Sequence, residues 1–200
     1  MSLLRPSPAA MESGESFKGE FPPAERSTLL HLAHESILSH LEGREISLEP
    51  PTAHLNEPRG VFTSLHIGGE LRGCVGYVLP VSSVYRAVVE TARAAAFEDT
   101  RFYPVRWEEA VRLEIELSIL SPPQRIQAGE IEVGRHGLLI SMAGHRGLLL
   151  PQVAIEHHWE RTTFLEQTCR KAGLPLDAWL KGAVIEAFTA EIFADSSLAR

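Results

Sequence analysis

The run Gly69-Glu70-Leu71-Arg72-Gly73-Cys74-Val75-Gly76-Tyr77 sets a thiol, a guanidinium and three glycines in a segment otherwise made of strand formers. A strand interior avoids glycine, which packs no side chain and loses the most backbone entropy on folding. Gly73 and Gly76 on either side of Cys74 therefore point to a close approach by another group. Side chains alternate along an extended chain, which puts Arg72 and Cys74 on one face and Leu71, Val75 and Tyr77 on the other. The chemistry this pattern suits is nucleophilic or covalent catalysis by a thiolate. An unperturbed thiol, with a pKa of about 8.5, is only slightly ionised at neutral pH. A guanidinium two residues away, at about 6–7 Å, contributes about 2–3 kcal/mol toward the anion at an effective dielectric of about 20. Apolar burial opposes that by a comparable amount, so solvent access at Cys74 decides its reactivity. The architectural alternative has Cys74 filling a tight sheet position. Gly73 and Gly76 then relieve packing or form a bulge, and Arg72 binds a carboxylate or a carbonyl.

A reactive thiol needs a base, and His66 is the nearest in sequence. Its use depends on register. A two-residue turn at Gly68-Gly69 pairs Ile67 with Glu70 and sets Thr63 opposite Cys74, sending His66 to the other side of the sheet. A shift of one residue reverses this, and His54, His136 and His145 are further candidates. A polar and aromatic cluster, Glu98, Asp99, Arg101 and Tyr103, follows the next helix. It reads either as a salt-bridged loop anchor or, with Arg59 and Arg72, as an anion pocket in which Arg59, Arg72 and Arg101 hold a carboxylate or phosphate. Gln152 opens a later helix, where it either orients a ligand or simply starts the helix. Cys169 falls on a helical apolar face and reads as a small core residue. The nine histidines include His157-His158 and, on a surface helix, His31, His34 and His40, but no Cys-x-x-Cys, His-x-x-x-His or His-Glu-x-x-His arrangement closes a metal-ligand set, and neither a Walker loop nor a dinucleotide fingerprint is present, so no metal or cofactor is expected.

The positioning elements follow from pattern. Residues 1–22 mix Ser, Pro, Gly and Glu without apolar periodicity and read as a flexible arm, leaving 23–200 as one domain. Apolar residues recur at helical spacing from Ala24 to Leu41, with Gly43 as the stop. Val61–Ile67 and Leu71–Leu79 read as a hairpin. Ser82 or Ser83 caps a helix whose face is Val84, Ala87, Val88, Thr91, Ala92 and Ala95. A loop from Phe97 to Trp107, a helical turn at Glu108–Ala110 and an alternating strand at Arg112–Ile119 come next. The second half repeats the plan: Gly137–Met142, a turn at Ala143-Gly144, Arg146–Leu150, a helix from Pro151, a helix capped by Thr162 or Thr163, and one strand over Val184–Phe193. Gly76 and Gly147, Leu79 and Leu150, and Pro80 and Pro151 each stand 71 positions apart. The reading is an α+β domain with an internal duplication, pseudo-repeats spanning about 59–121 and 131–194.

A 200-residue chain with 44% hydrophobic residues is long enough for a real core. Its formal charge of −7, from 26 acidic and 19 basic residues, gives no broad footprint for nucleic acid or an anionic membrane. There is no apolar run of transmembrane length. Two distant cysteines and no secretory leader point to a reducing cytoplasm.

Five segments carry a resemblance. Arg59-Gly60-Val61-Phe62, Leu71-Arg72-Gly73-Cys74-Val75-Gly76, Ala95-Ala96-Phe97-Glu98-Asp99-Thr100-Arg101-Phe102, Gly147 through Ala154 and Phe164 through Pro175 resemble the AMMECR-one domain family, with Val75 where its hallmark motif has isoleucine. Bacterial and archaeal members are called AmmeMemoRadiSam system protein A. The resemblance runs from about Ala24 to Phe193. It implies a two-lobed α+β fold of repeated β-β-β-α-α-β units, mainly antiparallel sheet packed with helices. It also implies one part of a three-component system beside a Memo-like protein and a radical S-adenosylmethionine protein. Any iron-sulfur cluster belongs to the radical partner, since two cysteines cannot supply four thiolates.

Two readings of function stand at this point. One is a cytosolic accessory enzyme with Cys74 as nucleophile or covalent carrier and Arg72 holding an anionic group. The other is a non-catalytic adaptor or small-anion-binding module.

Overall fold

The computed structural model describes residues 19–195. The first helix, α1 (Pro23–Glu42), starts on a proline pair and stops at Gly43. Gly43 has φ +67°, and the N–H groups of Gly43 and Arg44 return to the carbonyls of His40 and Ser39. Leu29, Leu32, Ala33 and Ile37 form its buried stripe. The hairpin β1 (Gly60–Ile67) and β2 (Glu70–Tyr77) turns on Gly68 and Gly69, at φ +61° and +82°. Two consecutive positive φ angles suit the right-handed twist of the strands and require glycine-like freedom.

Next comes α2 (Val84–Phe97), whose Ser83 cap accepts from the Arg86 N–H. The chain continues through α3 (Trp107–Ala110), β3 (Glu114–Leu120) and the two-residue β4 (Gln124–Arg125). The second half holds β5 (Gly137–Met142), β6 (His145–Leu149), α4 (Pro151–Glu156) and α5 (Arg161–Lys171), then β7 (Val184–Phe188) and β8 (Ala190–Ala194). Among the described residues no helix is long and apolar enough to cross a membrane.

All strand pairs are antiparallel, in two sheets ordered β2-β1-β3-β8 and β4-β7-β5-β6. The expected single strand over Val184–Phe193 is thus two strands. The ladder breaks at Thr189, and the chain passes from the second sheet to the outer edge of the first. β4 makes the reverse passage, from the end of β3 to the edge of β7. Each sheet therefore holds a hairpin, a closing strand beside the hairpin's first strand, and one strand lent by the other half. Within that shared order the correspondence differs from the sequence spacing. Counted from each turn along the paired strands, Gly73 opposite Leu65 matches Gly147 opposite Ile140, not Gly76.

Two cores result. The first lies between sheet one and helices α1 and α2, built on Leu29, Ile37, Val61, Leu65, Val88, Ala92 and Leu117. The second joins sheet two to α4 and α5 through Leu138, Ile140, Ala154, Phe164 and Cys169. α5 is capped at Glu160, upstream of its expected start at Thr162–Thr163.

The N-terminal boundary also moves. Residues 1–18 of the expected arm lie outside the described residues, but Phe21 is buried in the first core and stacks on His54 at 4.5 Å. The Glu191 carboxylate accepts from the backbone N–H groups of Glu20 and Phe21, so the folded body starts before residue 23. Composition missed this because two phenylalanines, Phe17 and Phe21, in an otherwise polar stretch do not make an apolar run.

α2 lies so close to β2 that a Cβ built on Gly73 would stand 2.2 Å from the Ala95 carbonyl oxygen. Gly129 has open space and an ordinary φ. Gly73→Ala should therefore lower unfolding stability by about 1–3 kcal/mol, while Gly129→Ala should be neutral or slightly stabilising. Urea unfolding followed by circular dichroism measures both.

Candidate functional site

The hairpin is not a regular ladder. Ile67 pairs with Glu70 and His66 with Leu71, as the Gly-Gly turn dictates, but Leu65 then pairs with Gly73. Arg72 is the extra residue of a β-bulge. Beyond it the register is shifted, and Ser64 opposes Cys74 where Thr63 was expected. Cys74 therefore lies on the same face as Ser64, and across β1 in line with Glu116 of β3. His66, paired with Glu114, occupies the adjacent row of that face. Leu71, expected on the face opposite Cys74 with Val75 and Tyr77, instead pairs with His66 on the face of Cys74 and is 43% exposed.

The bulge is anchored by Arg72. Its Nε and Nη2 donate to the two Glu109 carboxylate oxygens at 2.8 and 3.0 Å, and Nη2 also reaches the Tyr103 carbonyl at 2.9 Å. A bidentate guanidinium–carboxylate pair fixes direction as well as energy. Glu109 also accepts from the Arg106 N–H, closing the first turn of α3. The Arg72 hydrogen bonds hold the Glu109 carboxyl below its ordinary range. The arginine is thus aimed at α3 and the loop before it, and the expected face-sharing of Arg72 with Cys74 by simple alternation is replaced by this lateral anchor.

Cys74 is held from a second side. β2 is an edge strand, and its unpaired groups need partners. The Cys74 N–H donates to Asp99 Oδ2 at 2.9 Å, while Arg101 Nη2 donates to the Cys74 carbonyl at 3.2 Å. Asp99 and Arg101 are themselves joined by two side-chain hydrogen bonds of 3.0 and 2.7 Å. The pair acts as one residue of a missing neighbour strand. The Arg101 guanidinium and the Cys74 N–H hold the Asp99 carboxyl well below the usual carboxylate range.

Cys74 is a half-buried residue, and its sulfur accepts from the Ser64 hydroxyl at 3.3 Å. Gly76 is explained by Phe62, whose ring would lie 2.4 Å from an added Cβ. Cys74, Arg72, Gly73, Gly76, Asp99 and Arg101 therefore meet around one strand. Arg59 does not join them. It precedes β1 at the other end of the sheet, buried and paired with Glu20 and Glu57, which removes it from the expected three-arginine pocket. Gln152 is also remote, in a separate cavity of about 700 Å³ with Arg26, Ile155, Glu191 and Ile192. His54 is engaged by Glu25, His136 accepts from the Glu132 N–H, and His145 lies in the other sheet.

Ser64, Glu116 and Glu109 are the residues that sequence reasoning missed. Glu109 left one signal, an acid three residues after Arg106 at the start of a helical turn. Among the described residues Glu20, His54 and Glu57 bring ligand atoms within 4.8 Å of one another, but the Arg59 guanidinium already pairs with both carboxylates.

The AMMECR1 family model matches residues 30–193. Protein MK0488 of Methanopyrus kandleri is 41% identical over 177 residues, covering 82% of this chain and 86% of its own. Protein PF1979 of Pyrococcus furiosus is 42% identical over 181 residues, covering 82% and 85%. The crystal structure of the uncharacterised protein PH0010 from Pyrococcus horikoshii is similar at a TM-score of 0.68 and 38% identity, over 84% of this chain and 90% of that one.

Both anchoring carboxylates are depressed, so the unfolded chain binds more protons than the folded one in acid. Their contribution is complete above the unfolded carboxylate pKa of about 4 and is lost as pH falls through the folded values. An Asp99→Asn, Glu109→Gln double variant should accordingly show a shallower loss of stability below about pH 4 than the parent. Denaturant midpoints measured from about pH 6 down to about pH 2 test this, and parallel curves for the two proteins would refute it.

Proposed function

The chain belongs to the AMMECR1 family, and on that premise we propose that it is a thiol-presenting protein whose working group is Cys74, a nucleophile or covalent carrier. One observation carries this reading. The neighbours that define the cysteine motif are each occupied within the molecule, since Gly73 admits α2, Gly76 admits the Phe62 ring, and Arg72 anchors the bulge. Asp99 and Arg101 complete the strand edge. The sulfur is left with the Ser64 hydroxyl, which orients it on a polar, partly exposed sheet face.

In such a step the Cys74 sulfur forms a bond to an electrophilic carbon as that carbon's bond to its leaving group breaks. The leaving group takes the bonding pair and ends with the thiol proton. His66, on the same face, is the candidate proton carrier. Arg72 keeps only Nη1 for an anionic group, its other nitrogens being committed to Glu109 and Tyr103.

The resemblance to AmmeMemoRadiSam system protein A supports a Memo-like protein and a radical S-adenosylmethionine protein as partners. Two free cysteines support a reducing cytoplasm as the compartment. A non-catalytic adaptor is favoured by a different observation: Tyr103 is 89% exposed and Trp107 47% exposed beside several arginines, the composition of a protein-binding hot spot.

Iodoacetamide labelling of the native protein with mass-spectrometric readout tests the thiol reading. Cys74 should be modified at least tenfold faster than Cys169, which has no exposed surface and whose thiol burial pushes up. Equal and slow labelling of both sinks the proposal. The two readings separate in complementation of a deletion strain. Loss of function in Cys74→Ser with Tyr103→Ala tolerated supports the thiol, and the reverse pattern supports the adaptor.

A further inference from the structure

We propose that the cavity walled by Arg72, Arg101 and Arg106 binds an oxyanion carried on a planar ring, an aromatic carboxylate or an aryl phosphate ester. The cavity measures about 500 Å³ and lies between the bulge of β2, the loop before α3 and the first turn of α3. Cys74 does not line it, so this site goes beyond the thiol reading and does not require a reactive thiol, although both readings direct the Arg72 Nη1 donor to an anion.

The arrangement of guanidinium groups argues for the anion. The Phe102 ring is flanked by two of them, with the Arg72 and Arg101 carbons 5.8 and 5.5 Å from its centroid. Arg72 Nη1 is buried and has no acceptor among the described residues, while Arg72 Nε and Nη2 are committed to Glu109. Such a donor, on a residue that lines the cavity, leaves part of the Arg72 hydrogen-bonding capacity unfilled within the protein.

Arg106 supplies the uncommitted guanidinium. It is exposed, and its guanidinium forms no hydrogen bond or close ion pair among the described residues, acting on Glu109 only through space. The charges of Arg72 and Arg101 are already balanced by Glu109 and Asp99, and Glu108, which also lines the cavity, offsets that of Arg106, so the site offers directed N–H donors and no net charge. What remains suits a ligand of low negative charge, not a polyanion. The planar fork of a guanidinium matches carboxylate and phosphate oxygens alike. The ring requirement comes from Tyr103, which is almost fully exposed at the mouth of the cavity and offers a face for stacking.

Isothermal titration of the full chain with benzoate, phenyl phosphate and inorganic phosphate tests the site. Saturable binding of benzoate or phenyl phosphate is expected, with inorganic phosphate at least fivefold weaker because it cannot stack. The tighter of the two ring ligands assigns the natural headgroup as carboxylate or phosphate ester. Arg106→Gln should weaken binding at least tenfold and Tyr103→Ala several-fold, both with unchanged melting temperature. Arg135→Ala, in the other half of the chain, should leave affinity unchanged. Cys74→Ser should also bind normally, which separates this site from the thiol proposal. Absence of saturable binding by either ring ligand up to about 20 mM, or equal affinity in Arg106→Gln and the parent, overturns it.

Discussion

The bulge at Arg72, pinned by its two hydrogen bonds to Glu109, is the constraint on which the hairpin depends. An unanchored extra residue in a short hairpin slips easily, because register in a two-residue-turn hairpin is otherwise set by the turn alone. Glu109 prevents the slip from 37 positions away, through a guanidinium whose side chain is only 14% exposed. An isolated surface pair would contribute little. Here the two ends are fixed to α3 and β2 and the Tyr103 carbonyl adds a third bond, so the pair locks one register against its neighbour.

Everything near the thiol inherits that choice. With the bulge in place Gly73 faces α2, where only a missing side chain fits, and Cys74 turns to the open face beside Ser64. Asp99 and Arg101 then find the Cys74 N–H and carbonyl on the unpaired edge, and by closing that edge they remove a strand that could pair with another chain. The same loop brings Phe102 between two guanidiniums and leaves Tyr103 outside. One local irregularity thus yields both an oriented thiol and an arginine-lined cavity.

The second hairpin shows what the bulge contributes by lacking it. β5 and β6 pair without a break, and the position matching Cys74 is Leu148, opposite the buried Leu139. Gly147 still admits a helix backbone, Ala172 at the end of α5 standing 2.2 Å from its would-be Cβ. The close helix approach is therefore common to both halves, while the polar face belongs to the bulged one.

Elements with local causes were legible in the order of the amino acids. Apolar spacing marked α1, α2 and α5, glycines marked both hairpin turns, and the strand-breaking residues around the cysteine marked where a helix comes close. Cys74, Arg72, Gly73 and Gly76 could be picked out for that reason, and Asp99 and Arg101 from the charged loop after α2, while the same reading also singled out Arg59 and Gln152, which the fold places elsewhere. The register could not, because the bulge is stabilised by Glu109, a contact that no local pattern contains and that exists only in the folded molecule. Folding likewise turned Leu71 to water, made Ser64 the neighbour of the sulfur, and brought Arg106 into the arginine set in place of Arg59. Side-chain alternation in a strand has period two, so a single inserted residue reverses the face of all that follows, and only a distant anchor can tell the chain that the insertion is there.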